Sequence, residues 1–348
     1  MHEALYYEKK ENGRVLCCLC PQLCNIRPGH TGFCRVRQNK NGILYTLNYG
    51  RCTSVAIDPL EKKPLFHFYP GRLVYSLGTM GCNLHCGFCQ NWEIAHGNPS
   101  TFAITPQETV EAALNCKDRE SSCVGIAYTY SEPFVWYEFV FDTARLAKKR
   151  GLKNVLVTNG YINEEPLQEI LPYIDAMNID VKGFRAEYYR KTCAGRLKPV
   201  LRTVEKIYLR CYVELTTLLV TGLNDSQEEI TMLVNWVAGL DKEIPLHFSR
   251  YFPCYKLDLP STPLETLRRA AEIAREKLSY VYVGNAPQLK MEDTFCPRCG
   301  YKLINRDVYT VKITGLKDNQ CSQCGFPIRI INEEITHQER THQERDSL

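Results

Sequence analysis

The sequence has little that would place this protein in a membrane or outside the cell. No apolar run in its 348 residues approaches the roughly 18 residues that span a bilayer. The opening residues, MHEALYYEKKENGR, lack the apolar stretch of a secretory signal. A net charge of +4 is weak for this length, so it neither requires nor excludes nucleic acid, and we do not expect nucleic acid as a partner. These absences predict a cytoplasmic protein without a membrane partner.

The sequence also lacks a GxGxxG motif after the apolar run at 72–78, which we interpret as a strand. A dinucleotide-binding fold is therefore left without its main support. The segment that follows this strand is GCNLHCGFCQNW, in which Cys82, Cys86 and Cys89 have the spacing CxxxCxxC. A closed zinc site or an ordinary electron-transfer cluster takes four protein ligands, whereas three cysteines leave one metal position open. A fourth ligand from a distant Cys or His is the alternative that the spacing leaves open.

Cysteine, by contrast, is abundant, with 18 residues in the chain. A reducing cytosol excludes disulfides as the general explanation, so metal binding is the better one. The cysteines form three groups, which predict three metal sites. The N-terminal group has spacing that allows either zinc or a second iron–sulfur cluster, with zinc slightly favoured, and a cysteine-rich turn without metal is the alternative. This group consists of Cys17, Cys20, Cys24 and Cys34.

The C-terminal group has the stronger signal for zinc. It contains two CxxC pairs, CPRCG and CSQCG, each followed by a glycine. Four thiolates at such spacing are typical of the tetrahedral site of a zinc ribbon, whose role is structural where a short segment has little core of its own. The predicted zinc ligands are Cys296, Cys299, Cys321 and Cys324.

Between the outer cysteine groups, short apolar runs alternate with amphipathic segments. This pattern predicts an α/β protein with a parallel sheet, either doubly wound or a partial TIM-like (βα)6 barrel, which we favour. Strands are predicted at 72–78, 123–129, 154–160, 176–183, 212–220 and 245–252, with a candidate seventh at 280–284. The predicted organisation is a cysteine-rich segment at 1–70, the barrel at 71–290, the zinc ribbon at 291–331 and a disordered polar tail at 332–348.

Phe88 before the third cysteine and Gly81 before the first complete a pattern that closely resembles the signature of the radical S-adenosylmethionine (radical SAM) superfamily. The resemblance implies a 4Fe-4S cluster on Cys82, Cys86 and Cys89, whose free iron binds the amino and carboxylate groups of S-adenosylmethionine. It implies reductive cleavage into methionine and a 5'-deoxyadenosyl radical, which abstracts hydrogen from a substrate. An electron donor such as flavodoxin or ferredoxin and anaerobic conditions would then be needed.

Motifs at later strand ends resemble those of the pyruvate formate-lyase activating enzymes. YSEP stands where these relatives have GGEP, TNG and DVK end the next two strands, and a histidine lies in the sixth strand. In DVK, Asp180 and Lys182 share one face of a strand, so both can point into the barrel. The resemblance implies that S-adenosylmethionine is bound by Phe88, Ser131, Glu132, Thr158, Asn159, Asp180, Lys182 and His247.

Almost the whole chain up to the tail resembles the radical SAM member of the AmmeMemoRadiSam system, most particularly in DPLEKKPLFHFYPG. This resemblance implies Memo-type and AMMECR-type proteins as partners. The family also lies near the activating enzymes of glycyl radical enzymes, so installing a glycyl radical on a partner is the alternative function. A non-enzymatic zinc and iron–sulfur module is a third hypothesis, but it leaves the open triplet unexplained.

Three other residues of DPLEKKPLFHFYPG are candidates for the site. Lys62, Lys63 and His67 precede the first predicted barrel strand, where they would border the cluster or hold a substrate anion. The alternative is a solvated charge pair beside an aromatic patch. Cys193, in KTCAGR, is expected to be an ordinary buried or loop cysteine rather than a thiol that faces the site.

Overall fold

A computed structural model of the protein describes residues 1–119 and 123–332. The predicted disordered tail therefore lies outside the described residues from position 333 onward. Within the described part, no helix is both long and apolar enough to cross a membrane.

The N-terminal segment folds into short antiparallel strands. Three of them form one small sheet in the order β1-β6-β5, and three others form a second in the order β2-β3-β4. The strands are β1 (His2–Glu3), β2 (Tyr7–Lys9), β3 (Val15–Cys17), β4 (Asn25–Ile26), β5 (Arg37–Lys40), β6 (Ile43–Thr46) and β7 (Arg51–Cys52).

An eight-stranded sheet forms the centre of the molecule. Seven of its strands run parallel and follow one another in sequence order, and they correspond to the six predicted strands and the candidate seventh. The eighth, β8, is an antiparallel edge strand that sequence reasoning did not predict. The strands are β8 (Ser54–Pro59), β9 (Leu73–Gly78), β11 (Cys123–Tyr128), β12 (Lys153–Thr158), β13 (Ala176–Asp180), β14 (Tyr212–Leu219), β15 (Leu246–Arg250) and β16 (Val281–Gly284), while β10 (Phe102–Ala103) pairs with β7.

Helices pack against this sheet, and most residues of its parallel strands are buried. All six residues of β11 are buried, as expected for a parallel strand that is covered on both faces. Amphipathic segments of the sequence predict five helices, at 105–115, 133–151, 163–174, 226–240 and 262–278. These match α2, α3, α4, α7 and α8, whereas α1, α5 and α6 are not predicted. The helices are α1 (Trp92–His96), α2 (Pro106–Arg119), α3 (Tyr137–Lys149), α4 (Glu164–Ile170), α5 (Ala186–Thr192), α6 (Leu197–Ile207), α7 (Gln227–Leu240) and α8 (Leu264–Arg275).

The C-terminal segment packs against the β16 edge of the central sheet. Tyr282 of β16 shares a buried cluster with Phe66 and with Leu303 and Ile304 of the C-terminal segment. Arg306, 6% exposed, donates to the carbonyl oxygen of Phe66 at 2.6 Å. This segment contains β17 (Thr294–Phe295), β18 (Lys302–Asp307), β19 (Thr310–Ile313), β20 (Leu316–Lys317) and β21 (Gln320–Cys321).

Candidate functional site

A cavity of about 650 Å³ opens where the parallel strands of the central sheet end. This volume lies within the range of small-molecule and cofactor sites. Carboxyl-terminal strand ends meet on one side of a parallel sheet, which is why motifs distant in sequence come together here. Its lining includes all three cysteines of the triplet and every residue expected to bind S-adenosylmethionine: Cys82, Cys86, Phe88, Cys89, Ser131, Glu132, Thr158, Asn159, Asp180, Lys182 and His247.

The cysteine loop follows β9 and is held on two sides. Gly81 has φ +96°, and a Cβ there would lie 2.9 Å from the carbonyl oxygen of Cys34, so this turn favours glycine for both reasons. Backbone hydrogen bonds join His85 N to the carbonyl oxygen of Cys193 at 2.9 Å, and Gly87 N to that of Thr192 at 3.0 Å. The loop is therefore fixed between the N-terminal segment and the end of α5.

Hydrogen bonds also fix the first sulfur of the triplet. Cys82 Sγ accepts from the backbone N–H of Leu84 at 3.4 Å and from Asn159 Nδ2 at 3.6 Å. The same Asn159 amide donates to Asn83 Oδ1 at 2.9 Å, which ties the TNG motif to the cysteine loop. Hydrogen bonds to cysteine sulfurs are one of the means by which a protein tunes an iron–sulfur cluster.

Glu132 holds two strand ends together. Its Oε1 accepts from Thr158 Oγ1 at 2.6 Å and from Phe134 N at 3.0 Å, and its Oε2 accepts from Asn159 N at 2.8 Å. Burial raises the pKa of Glu132 to about 7, although these hydrogen bonds act in the opposite direction. Glu132 thus positions Thr158 and Asn159 in the cavity wall. Ser131 Oγ donates to the carbonyl oxygen of Thr79 at 2.5 Å.

A partly buried ion pair lies at the end of β13. Lys182 Nζ donates to Asp180 Oδ2 at 2.7 Å. Burial disfavours the charged ammonium, but Asp180 outweighs this effect and the pKa of Lys182 is raised. Lys182 therefore stays charged in the cavity wall with Asp180 as its counter-charge, and its ammonium suits a carboxylate ligand.

His247 in β15 is oriented by a second carboxylate. Its Nε2 lies 2.6 Å from Glu214 Oε2, and the two side chains are 4% and 0% exposed. Burial opposes ionisation of Glu214, yet the bond to His247 and other contacts leave the pKa of Glu214 lowered. The ring of Phe66 meets that of His247 edge-on at 4.7 Å. This arrangement fixes the orientation of the histidine ring in the cavity wall.

The lysines of DPLEKKPLFHFYPG line the same cavity, but His67 does not. Asp58 accepts from Lys62 Nζ at 2.8 Å, from Lys63 Nζ at 2.6 Å and from Tyr130 Oη at 2.5 Å. Lys63 is 2% exposed, so the alternative of a solvated pair is wrong for this residue. His67 lies between the sheet and the C-terminal segment, with Nε2 at 2.6 Å from Tyr282 Oη.

The C-terminal cysteines form a compact group. The sulfur atoms of Cys296 and Cys324 are 3.6 Å apart, and those of Cys299 and Cys321 are 3.7 Å apart. All four lie within 4.8 Å of one another. Because a zinc ion about 2.3 Å from each of four sulfurs leaves neighbouring sulfurs about 3.8 Å apart, these distances fit one tetrahedral ion. The four N-terminal cysteines also converge, and they line a second, much smaller cavity.

Comparison with known proteins agrees with this geometry. Residues 77–237 match the radical SAM superfamily. An uncharacterized protein of Methanocaldococcus jannaschii is 46% identical over 340 residues, which cover 95% of this chain and 100% of that protein. Residues 77–237 therefore form a radical SAM superfamily domain. This family implies a 4Fe-4S cluster and S-adenosylmethionine as cofactors, and three cysteines beside a cavity with polar and charged side chains fit both.

Other members of the superfamily are more distant. The pyruvate formate-lyase-activating enzyme of Clostridium pasteurianum is 28% identical over 170 residues, which cover 46% of this chain and 67% of that enzyme. The isethionate sulfite-lyase activating enzyme of Oleidesulfovibrio alaskensis is 27% identical over 172 residues, or 46% and 54% of the two chains. SuiB of Streptococcus suis superposes with a TM-score of 0.52 at 17% identity, over 67% of this chain and 53% of that one. At that identity, the likeness to SuiB shows the fold alone.

Sequence reasoning missed several groups of this site. Asn83 and Glu214 do not line the cavity, but they orient two side chains that do, Asn159 and His247 respectively. No pattern in the sequence indicates these contacts. Cys193, expected to be an ordinary buried or loop cysteine, is fully buried, and its thiol lies within hydrogen-bond reach of Cys86. The contact arises because the turn after α5 folds back onto the cysteine loop, which spacing cannot reveal.

Proposed function

We propose that this protein is a radical SAM enzyme that cleaves S-adenosylmethionine reductively into methionine and a 5'-deoxyadenosyl radical, which abstracts hydrogen from a substrate. Cys82, Cys86 and Cys89 would hold the 4Fe-4S cluster, which would supply the electron that cleaves S-adenosylmethionine. The observation that carries the proposal is that the triplet and all eight residues expected to bind S-adenosylmethionine line one cavity. The triplet and Phe88 follow β9, and the other residues of this set come from four further strands or the segments after them. A chance match of three cysteines would not produce this convergence.

The polar groups of the cavity divide the work of holding S-adenosylmethionine. The Lys182 ammonium binds its carboxylate, and Asp180 keeps that ammonium charged and in place. Glu132 sets the positions of Thr158 and Asn159, which line the wall beside Cys82. His247, oriented by Glu214, lies where an adenine would pack.

The alternative is that the enzyme installs a glycyl radical on a partner protein. The activating enzymes named above, to which this chain is 27–28% identical, favour this reading. The C-terminal segment contributes Glu292 and Tyr309 to the cavity lining, so it helps to shape the space that a substrate would enter. A glycyl radical on a partner, detected by EPR after turnover, would distinguish this function from action on a small molecule.

Several further properties complete the proposal. The central sheet is the partial barrel of the family, and the C-terminal cysteines hold zinc as a ribbon that stabilises the β16 edge. A flavodoxin or ferredoxin supplies electrons, and Memo-type and AMMECR-type proteins are partners. The enzyme works in the cytoplasm under anaerobic conditions, and its 18 cysteines form no disulfides.

The cluster assignment can be tested with a matched pair of variants. The triplet variant replaces Cys82, Cys86 and Cys89 with Ala, and the control is Cys254→Ala, whose sulfur is 3.5 Å from the carbonyl oxygen of Cys89. After anaerobic reconstitution, the triplet variant should lose about four irons and all cleavage of S-adenosylmethionine, while the control keeps both. Full iron and full cleavage in the triplet variant would show that the assignment is wrong.

A further inference from the structure

The four N-terminal cysteines surround a small, apolar space that the proposed reaction does not use. Cys17 ends β3, Cys20 and Cys24 lie in the turn before β4, and Cys34 precedes β5. The remaining lining of this second cavity includes Leu19, Ile26, Phe33 and Val135. Four thiols that converge on a water-poor space are suited to a soft metal centre.

Each of these sulfurs has a nitrogen donor beside it. Cys17 Sγ accepts from Arg37 Nη1 at 3.4 Å, and Cys24 Sγ accepts from the backbone N–H of Phe33 at 3.3 Å. The backbone N–H groups of Gln22 and Val36 face the sulfurs of Cys20 and Cys34. Donors beside all four sulfurs are the hydrogen bonds that orient cysteine ligands around a metal centre.

The spacing of the sulfurs distinguishes a cluster from a single ion. Within residues 1–119 and 123–332, only the C-terminal cysteines form a group of at least three candidate ligands within 4.8 Å of one another. The N-terminal sulfurs are therefore more widely spread than the 3.6 Å and 3.7 Å pairs of the C-terminal site. Their cavity has room for about one water-sized sphere. No such sphere fits among four sulfurs that each lie about 2.3 Å from one zinc ion.

We propose that Cys17, Cys20, Cys24 and Cys34 hold a second iron–sulfur cluster rather than zinc. In a cluster the four thiolates bind different irons, so their sulfurs stand farther apart than around one ion. This assignment goes beyond the proposed function, which needs only the triplet. It also replaces the slight preference for zinc that the sequence spacing gave.

The second cluster would lie directly behind the loop of the first. The carbonyl oxygen of Cys34 touches Gly81, and the rings of Phe33 and His85 are 4.3 Å apart. Gln22 Nε2, beside Cys20, donates to the carbonyl oxygen of Asn83 at 3.0 Å. Two reduced clusters whose cysteine loops are in contact would interact magnetically. This interaction gives the proposal a spectroscopic readout that does not depend on activity.

The test counts iron and zinc after anaerobic reconstitution with iron and sulfide. The wild-type chain should hold about eight irons and one zinc, and the triplet variant should keep about four irons. Cys20→Ser with Cys24→Ser should remove the other four irons and leave the zinc. A triplet variant with no iron and two zincs, or with no metal beyond the C-terminal zinc, overturns the proposal.

The count separates this inference from the proposed function. Because the triplet variant retains a native N-terminal segment, its iron content decides the matter even if the N-terminal variant does not fold. If the triplet variant holds as much iron as the wild-type protein, the cluster assignment of the triplet fails and this inference stands. EPR of the reduced wild-type protein should differ from the sum of the two variant spectra, and a simple sum contradicts the adjacency of the two clusters.

Discussion

Replacing Lys182 with methionine tests how the cavity binds S-adenosylmethionine. The substitution removes the ammonium and keeps the aliphatic stem, so packing in the wall changes little. The ammonium has three N–H donors, and the hydrogen bond of 2.7 Å to Asp180 uses one of them. The remaining donors are those available to a ligand carboxylate. Because the pKa of Lys182 is raised, the group stays charged across the working pH range.

The expected effect follows from the strength of one charge-assisted hydrogen bond. Such a bond contributes about 1.5–3 kcal/mol, which corresponds to a roughly ten- to more than hundredfold rise in Kd for S-adenosylmethionine. Removing the ammonium also leaves Asp180 without its cation, and the uncompensated carboxylate repels the incoming ligand carboxylate. This second effect places the expected value toward the upper part of the range.

The assay is equilibrium binding of S-adenosylmethionine to the anaerobic, cluster-loaded variant, together with its absorption and EPR spectra. Lys62→Met is the matched control, because Lys62 lines the same cavity and donates to Asp58 at 2.8 Å. The cluster spectra should stay unchanged in both variants, and only Lys182→Met should weaken binding. Unaltered affinity in Lys182→Met, or an equal loss in both, would refute the assigned role of Lys182.

Three further predictions concern stability and metal. Glu138→Ala removes one partner of the buried ion pair with Arg37 and should lower the free energy of unfolding by about 3–5 kcal/mol in denaturant titrations. The control is Glu111→Ala, in the exposed pair with Arg150, which should lower it by under about 1 kcal/mol. Cys296→Ser should lose about one zinc with iron unchanged in elemental analysis; unchanged zinc would reject the ribbon. Glu132 binds a proton more tightly when folded, so its contribution to stability is full below its unfolded pKa of 4.5 and is lost as pH rises through about 7. Glu132→Gln should flatten the unfolding free energy between those pH values, and an unchanged slope would show that Glu132 does not titrate there.

The strand order and the main site motifs could be predicted because they depend on local signals. Apolar runs between amphipathic segments define a parallel sheet, and the ends of such strands meet on one side whatever the loops between them. This geometry brings Asp180, Lys182 and His247 to the cysteine loop. The cysteine groups were equally visible, since metal ligands need fixed spacing.

The elements that were missed depend on tertiary contacts or on a weak local signal. α6 (Leu197–Ile207) buries Val200, Val204 and Ile207, which recur at helical spacing, but Pro199 within the run obscures the pattern. The edge strand β8 has exposed residues, and only its pairing with β9 makes it a strand. Two partners of Glu132, Thr158 and Asn159, lie 26 and 27 positions away, and no spacing rule predicts such contacts.

The central claim is most directly tested by measuring reductive cleavage of S-adenosylmethionine. Anaerobically reconstituted protein is incubated with S-adenosylmethionine and a low-potential reductant, and methionine and 5'-deoxyadenosine are quantified against the triplet variant. We expect the wild-type protein to form both products in equal amounts and the triplet variant to form neither above the reductant-only background. Formation of 5'-deoxyadenosine by cluster-loaded wild-type protein at no more than that background would contradict the account.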